Sequence, residues 1–214
     1  MHPSRQAGRT ASHQGRTMQE SQLIQAARRG DVHAFNELVL CYQDTAFTVA
    51  YRILGHPDSA ADAAQEAFIA AFQKLHQFRG EHFKSWLMRI VTNACYDELR
   101  RQRRQPATSL DDLHETQPAD GSTLHSHEES PEQHAQRAEL QAAIQECLDA
   151  LPDDQRVVAV LSDVEEHAYH EIAAITGWPV GTVKSRLSRA RGRLRDCLRA
   201  VRELLPAEYR LKDE

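Results

Sequence analysis

The chain has 214 residues, 26 Lys plus Arg against 31 Asp plus Glu, a net charge of −5 and 41% hydrophobic residues. That length allows one domain or two small ones, and no apolar run approaches the ~20 residues of a membrane helix. Residues 1–17 hold Arg5, Arg9 and Arg16 but no apolar stretch, so they read as a tail and not as a secretory signal.

Residues 18–104 read as helical. Leu23, Ile24 and Ala27, then Phe35, Leu38 and Val39, recur at helical spacing, and Asp31 follows Gly30 as a candidate N-cap. Tyr42, Ala46, Val49, Ala50 and Ile53 continue that face until Gly55, His56 and Pro57 break it. Asp58 is expected to open the next helix, through Ala64, Phe68, Ala71 and Leu75. A loop over 78–81 leads into a helix from Lys84 to Arg104, with Trp86, Leu87, Ile90, Val91 and Ala94 as its buried face. Arg89, Asn93, Tyr96 and Arg100 fall on another face at spacings of 4, 3 and 4 residues. An amide and an aromatic between arginines suit an unpaired base: Tyr96 to stack on it, Asn93 to bond its edge, the arginines to hold the backbone. Arg100, Arg101, Arg103 and Arg104 give a basic end larger than the helix dipole needs.

Residues 105–135 change character. These 31 residues hold no Lys or Arg and 7 acids, with Pro106, Pro118, Pro131 and Gly121 among them. They read as a flexible acidic linker. Helical pattern returns over 136–205, with Leu140, Ile144, Leu148 and Leu151 on one face. Pro152 is expected to end that helix and Asp153 to cap the next, which carries Val157, Val160 and Leu161. No strand-like alternation of useful length occurs. The fold class is therefore all-α: two small helical domains, 18–104 and 136–205, joined by the linker, with a tail at 206–214.

The segment EIAAITGWPVGTVKSRLSRARGRLR, residues 171–195, reads as a helix-turn-helix. Gly177 can take positive φ and stop the first helix, Pro179 bars its continuation, and the second starts near 180–182. Val183, Leu187, Ala190, Leu194, Leu198 and Val201 make its buried stripe. Arg186, Arg189 and Arg193 flank the stripe on one side; Lys184, Arg191 and Arg195 flank it on the other. Thr182, Ser185, Ser188 and Gly192 lie outward between the rims. Two basic rims can neutralise phosphates on both walls of a groove while small residues approach the base edges. From Val180 to Arg202 there are 8 basic residues and 1 acid, which disfavours a merely solvated face.

Cys41, Cys95, Cys147 and Cys197 are widely spaced and form no CxxC pair. They argue against a zinc site or a disulfide framework and for reduced thiols in a cytoplasm. His167 and His170 near Glu166, and His114, His125, His127 and His134 in the linker, read as solvated side chains and not as metal ligands. No nucleophile-base set and no phosphate loop is present, so an enzyme and a bound cofactor are not expected.

These residues together resemble a bacterial RNA polymerase sigma factor of the extracytoplasmic function (ECF) class. The likeness rests on Asp62-Ala-Ala-Gln65-Glu66-Ala-Phe68, on Phe83-Lys-Ser-Trp86-Leu-Met-Arg-Ile-Val-Thr-Asn93-Ala, on Leu151-Pro152, on Tyr169-His-Glu171-Ile172-Ala173 and on Gly181-Thr182-Val183-Lys184-Ser185-Arg186, in that order. It implies that the first domain grips the core polymerase clamp through Asp62, Gln65 and Glu66. By the same likeness the first domain melts the −10 element with Arg89, Thr92, Asn93, Tyr96 and Arg100. It implies that the second domain holds the polymerase flap and reads the −35 element through Thr182, Lys184, Ser185, Arg186, Ser188, Arg189, Arg191 and Arg193. The partners it implies are core RNA polymerase, promoter DNA and an anti-sigma factor, in the cytoplasm or held at the inner membrane by that factor, without insertion. Promoter elements two turns apart lie ~70 Å from one another, so the linker must be drawn out when both are engaged. The competing reading is a helix-turn-helix regulator that acts without core polymerase.

Overall fold

The computed structural model describes residues 19–79, 82–104 and 131–201. Helix α1 covers 19–28. Helix α2 follows over Val32–Leu54, its first turn closed by the Asp31 carboxylate, which accepts from His33 N at 2.9 Å and Ala34 N at 3.1 Å. This is the expected N-cap: the side chain satisfies amides that have no intrahelical partner. Helix α2 ends at Gly55, whose φ of 79° is the left-handed conformation that lets its N–H bond back to Tyr51 O.

Helix α3 covers Pro57–Lys74 and ends in a 3-10 turn, Leu75–Gln77. It starts one residue before the expected Asp58, because a proline at the first helical position has no N–H to leave unpaired and its φ is already helical. Its buried residues are all alanine: Ala60, Ala63, Ala64, Ala67 and Ala71. Helix α4, Phe83–Arg104, closes the first domain with Phe83, Leu87, Met88, Val91, Thr92, Cys95 and Leu99 inside.

Helix α5 runs over Pro131–Asp149. The expected linker boundary at residue 135 is therefore corrected to 130, again by a proline that starts a helix instead of breaking one. Residues 105–130 lie outside the described residues. Helix α6, Asp153–Ala159, passes into a π-helical turn, Val160–Val164. Asp153 is its first residue and not its cap; that position belongs to Pro152, and the Asp153 carboxylate turns to arginines. Helices α7, Tyr169–Thr176, and α8, Val180–Ala200, meet at Gly177, φ 74°. Only Val183, Leu187 and Ala190 of the expected α8 stripe are fully buried; Leu194, Leu198 and Val201 are half-buried.

The two domains are packed against each other, and their buried side chains form one continuous apolar cluster. Arg156 of α6 is the pin. It is 8% exposed, and its guanidinium donates to Ile53 O in the first domain at 2.6 Å and to Asp149 O and Leu151 O at 2.9 and 3.1 Å. Gln145 of α5 donates to Tyr51 O at 3.4 Å and accepts from Arg52 at 3.1 Å, and Arg52 also donates to Gln141. Gly55 completes the seam: a Cβ there would lie 2.8 Å from the Asp149 carboxylate.

Candidate nucleic-acid interface

The helix-turn-helix is built as its sequence requires. The Glu171 carboxylate reaches back to accept from Ala168 N at 2.8 Å, which starts α7 and draws the Glu171 pKa down. Thr176 Oγ1 donates to Ile172 O and accepts from Trp178 N, so the turn enters α8 with a fixed direction. Along α8, Lys184, Ser185, Ser188, Arg189 and Arg193 are exposed, and Thr182 is partly so. Arg191 is exposed too but engaged, with Asp163 Oδ1 of the π-helical turn at 2.6 Å and Ser162 Oγ at 3.4 Å. Five of the eight residues predicted to read the −35 element, Lys184, Ser185, Ser188, Arg189 and Arg193, thus stand exposed and without such a partner on α8 beyond the tight turn.

Arg186 stands apart. Its guanidinium carbon lies 3.8 Å from the ring centroid of Trp178, and its Nε is 2.8 Å from Asp154 Oδ2 of α6. Sequence reasoning missed both partners. The available signal was Trp178 itself, a large aromatic set between Gly177 and Pro179 in a turn.

The α4 set divides. Arg89, Asn93 and Arg100 are exposed, Arg100 paired with Asp97 at 3.1 Å. Thr92 is fully buried and its hydroxyl has no partner. Tyr96 is half-covered, its ring 6.1 Å edge-on from Trp178, its hydroxyl buried without a partner. Burial drives the Tyr96 pKa well up, against a smaller opposing pull from Arg186. The basic side of α4 meets acids of the second domain: Lys84 Nζ is 2.8 Å from Glu165 Oε2, Arg103 pairs with Asp153, and Ser85 Oγ donates to Glu171 at 3.5 Å. Glu165 caps the π-helical turn, and the next residue, Glu166, has a φ of 57°.

On α3, Asp62, Gln65 and Glu66 are all exposed on one face at spacings of 3 and 1 residues. Gln65 borders an open apolar groove of about 540 Å³ between α2 and α3, walled by Val39, Phe47, Phe68 and Phe72.

The cysteines differ from expectation. Cys147 of α5 and Cys197 of α8 are joined as a disulfide, their Cα atoms 5.8 Å apart. Helical packing places side by side two residues 50 positions apart, a proximity that spacing along the chain does not show. Cys41 and Cys95 are free.

Comparison with known families decides what this pair of basic helices belongs to. Residues 38–105 match the model of Sigma-70 region 2, and residues 141–194 match that of Sigma-70, region 4. The chain belongs to the ECF class of RNA polymerase sigma factors. It is 38% identical to the ECF RNA polymerase sigma factor SigW of Bacillus subtilis, covering 82% of this chain and 95% of that one. It is 37% identical to the RNA polymerase sigma-H factor of Pseudomonas aeruginosa, over 81% and 90%. It is 36% identical to the ECF RNA polymerase sigma-E factor of Escherichia coli K12, over 79% and 88%. Two solved structures are similar. The sigma factor RpoE, in complex with the anti-sigma factor NepR from Bartonella quintana, shows 27% identity and a TM-score of 0.57, over 78% of this chain and 98% of that one. CnrH in complex with the cytosolic domain of CnrY shows 26% identity and a TM-score of 0.58, over 85% and 98%. A sigma factor is a specificity subunit of the polymerase and not an enzyme in its own right. The two family matches span both helical domains, which a regulator acting without polymerase does not explain.

Proposed function

We propose that this sigma factor divides its work at the seam between its domains. Residues 18–104 hold core polymerase and open the −10 element; residues 131–205 hold the flap and read the −35 element. The observation that carries this reading is the open face of α8, where Lys184, Ser185, Ser188, Arg189 and Arg193 stand exposed beyond the glycine-capped turn. Thr182, Arg186 and Arg191 complete that reading set.

For the −10 element, Asn93 and Tyr96 take an extruded base and Arg89 and Arg100 its backbone, with Thr92 supporting the pocket from inside. The exposed carboxylates of Asp62 and Glu66, with Gln65, face basic helices of the clamp. Similarity to sigma factors solved with NepR and with CnrY supports control by an anti-sigma factor, and with it a response to envelope or other stress. The site of action is the cytoplasm, where the polymerase works; among the described residues no helix is long and apolar enough to cross a membrane.

Run-off transcription by core polymerase, with and without this protein, on genomic promoter fragments tests the reading. Discrete new start sites that vanish with Arg189→Ala or Asn93→Ala are expected. Duplex binding without polymerase, and no new transcript with it, would sink it.

A further inference from the structure

Cys147 and Cys197 are joined in a protein whose partner, core polymerase, works in the cytoplasm, where thiols are kept reduced. A disulfide that forms in such a compartment is, as a rule, transient and serves catalysis or sensing. Its place in the fold decides what it acts on. The fully buried side chains of α8 are Val183, Leu187 and Ala190, and none follows them within the helix. Over residues 191–200 the apolar side chains Leu194, Cys197 and Leu198 are only half-buried. That half of the helix also lacks support of its own. Gly192 lies within it, and Arg189 with Arg193, Arg191 with Arg195 and Arg195 with Arg199 set like charges four residues apart, which destabilises a helix. The helix dipole favours Arg199 in the last turn, Asp163 answers Arg191, and Asp196 is the single acid among these arginines. The disulfide fastens this half to α5 at Cys147, which is 2% exposed and is followed by Leu148 of the common core. Arg193 stands on the fastened half, exposed, so the bond fixes a cation of the −35 set.

We infer that Cys147 and Cys197 form a reversible thiol switch on promoter reading: closed, the bond holds residues 191–200 helical and Arg193 in place; open, it releases them and weakens −35 reading. The inference rests on the promoter reading given above and names a signal for it, the thiol–disulfide balance. Opening is an exchange. A thiolate of a dithiol reductant attacks the sulfur of Cys197, the less buried partner. The S–S bond breaks, and Cys147 leaves as a thiolate and takes up a proton. The second thiol of the reductant then attacks the mixed disulfide and frees Cys197. Two electrons and two protons pass from the dithiol, which becomes a disulfide, and exchange with a disulfide oxidant closes the pair again. A reduced chain whose reading helix is whole for only part of the time binds with an apparent affinity lowered by that fraction.

The test uses the full chain carrying Cys41→Ser, which removes the exposed free thiol from exchange. Dithiothreitol opens the pair and oxidised glutathione closes it; alkylation and mass spectrometry read its state, and circular dichroism reads folding. The pair should open and close with the chain folded throughout. A bond that opens only as the chain unfolds overturns the proposal. Run-off transcription with core polymerase then reads function. The half-maximal protein concentration should rise about 3- to 10-fold on reduction and return on reoxidation. The rise should vanish on a promoter whose −35 element has been replaced. The same chain with Cys147→Ser and Cys197→Ser should stay at the reduced level in both buffers. An unchanged half-maximal concentration in the parent chain overturns the proposal, as does a double variant that still responds or that stays at the oxidised level. Should the double variant not fold, hydrogen exchange of the parent chain replaces it: reduction should speed exchange over residues 191–200 and leave 183–190 protected, and equal exchange in the two states overturns the proposal. No transcript in either state counts against the promoter reading, and hydrogen exchange alone then decides whether the bond holds the helix.

Discussion

Arg186 lies over Trp178, its guanidinium carbon 3.8 Å from the ring centroid, and the same indole makes an edge contact with Tyr96, ring centroids 6.1 Å apart. A guanidinium over an indole face is attracted by the ring quadrupole, and the planar group keeps contact where an ammonium would not. A side chain of the helix proposed to read the −35 element is thereby held without DNA. A double-mutant cycle of Arg186→Ala with Trp178→Leu should return a coupling of roughly 1 kcal/mol in urea unfolding. A coupling of zero would show that the stack contributes nothing.

Arg156 should be the most costly surface-distant position to change in the second domain. Its guanidinium is buried and satisfies three carbonyls, one of them Ile53 O in the other domain. Arg156→Ala strands those acceptors and opens a cavity, at a cost of about 3–5 kcal/mol in chemical denaturation. Arg156→Met, which fills the space without a charge, should cost less. Equal losses for the two would assign the cost to the lost hydrogen bonds and not to the cavity.

Gly55→Ala should destabilise the seam more than most Gly→Ala changes. Its φ of 79° is unfavourable for any L side chain, and the new methyl would meet the Asp149 carboxylate at 2.8 Å. The backbone part alone is worth about 1–2 kcal/mol. A stabilising effect in thermal melts would contradict this geometry.

Stability should fall on mild acidification. His167 is buried, and burial first, then Lys84, depresses its pKa below the ordinary 6.5, against the pull of Glu171 and Glu165. The folded chain thus keeps His167 neutral while the unfolded chain takes up a proton, so stability is present above the unfolded pKa and is lost as pH falls through it. Between about pH 7.5 and 5.5 the urea midpoint should drop, with a slope no steeper than about 1.4 kcal/mol per pH unit for this one group. That window lies above the carboxylate range, where the depressed Glu171 does not titrate. His167→Gln should flatten the dependence; an unchanged slope would assign it elsewhere.

Reduction of the Cys147–Cys197 bond should loosen the second domain. It ties α5 to α8 across 50 residues, for which the chain-entropy model gives about 4 kcal/mol. Unfolding with and without dithiothreitol measures it, with Cys147→Ser/Cys197→Ser as the reference. Before reduction, a disulfide-exchange reagent should find the exposed Cys41 quickly and the buried Cys95 hardly at all, since burial pushes the Cys95 thiol up to about 12. Fast reaction at two or more sites would contradict this arrangement.

The helices, their caps and the basic face of α8 were legible in the sequence because each depends on neighbours within one or two turns. Asp31 caps from three residues away, Gly55 and Gly177 stop helices where positive φ is needed, and the 8 basic residues after Val180 wind into rims by helical period alone. Prolines were the local exception, since Pro57 and Pro131 start helices as readily as they break them. What only the tertiary structure decided are meetings between distant positions. Period places Thr92 on a face but not inside, and it places Tyr96 outward although the second domain covers it. Nothing near Arg156 points to a carbonyl 103 residues earlier, and nothing near Cys147 points to Cys197. Local pattern sets which face of a helix is apolar or charged; which partner that face meets depends on how whole helices pack, and that is a property of the assembled chain.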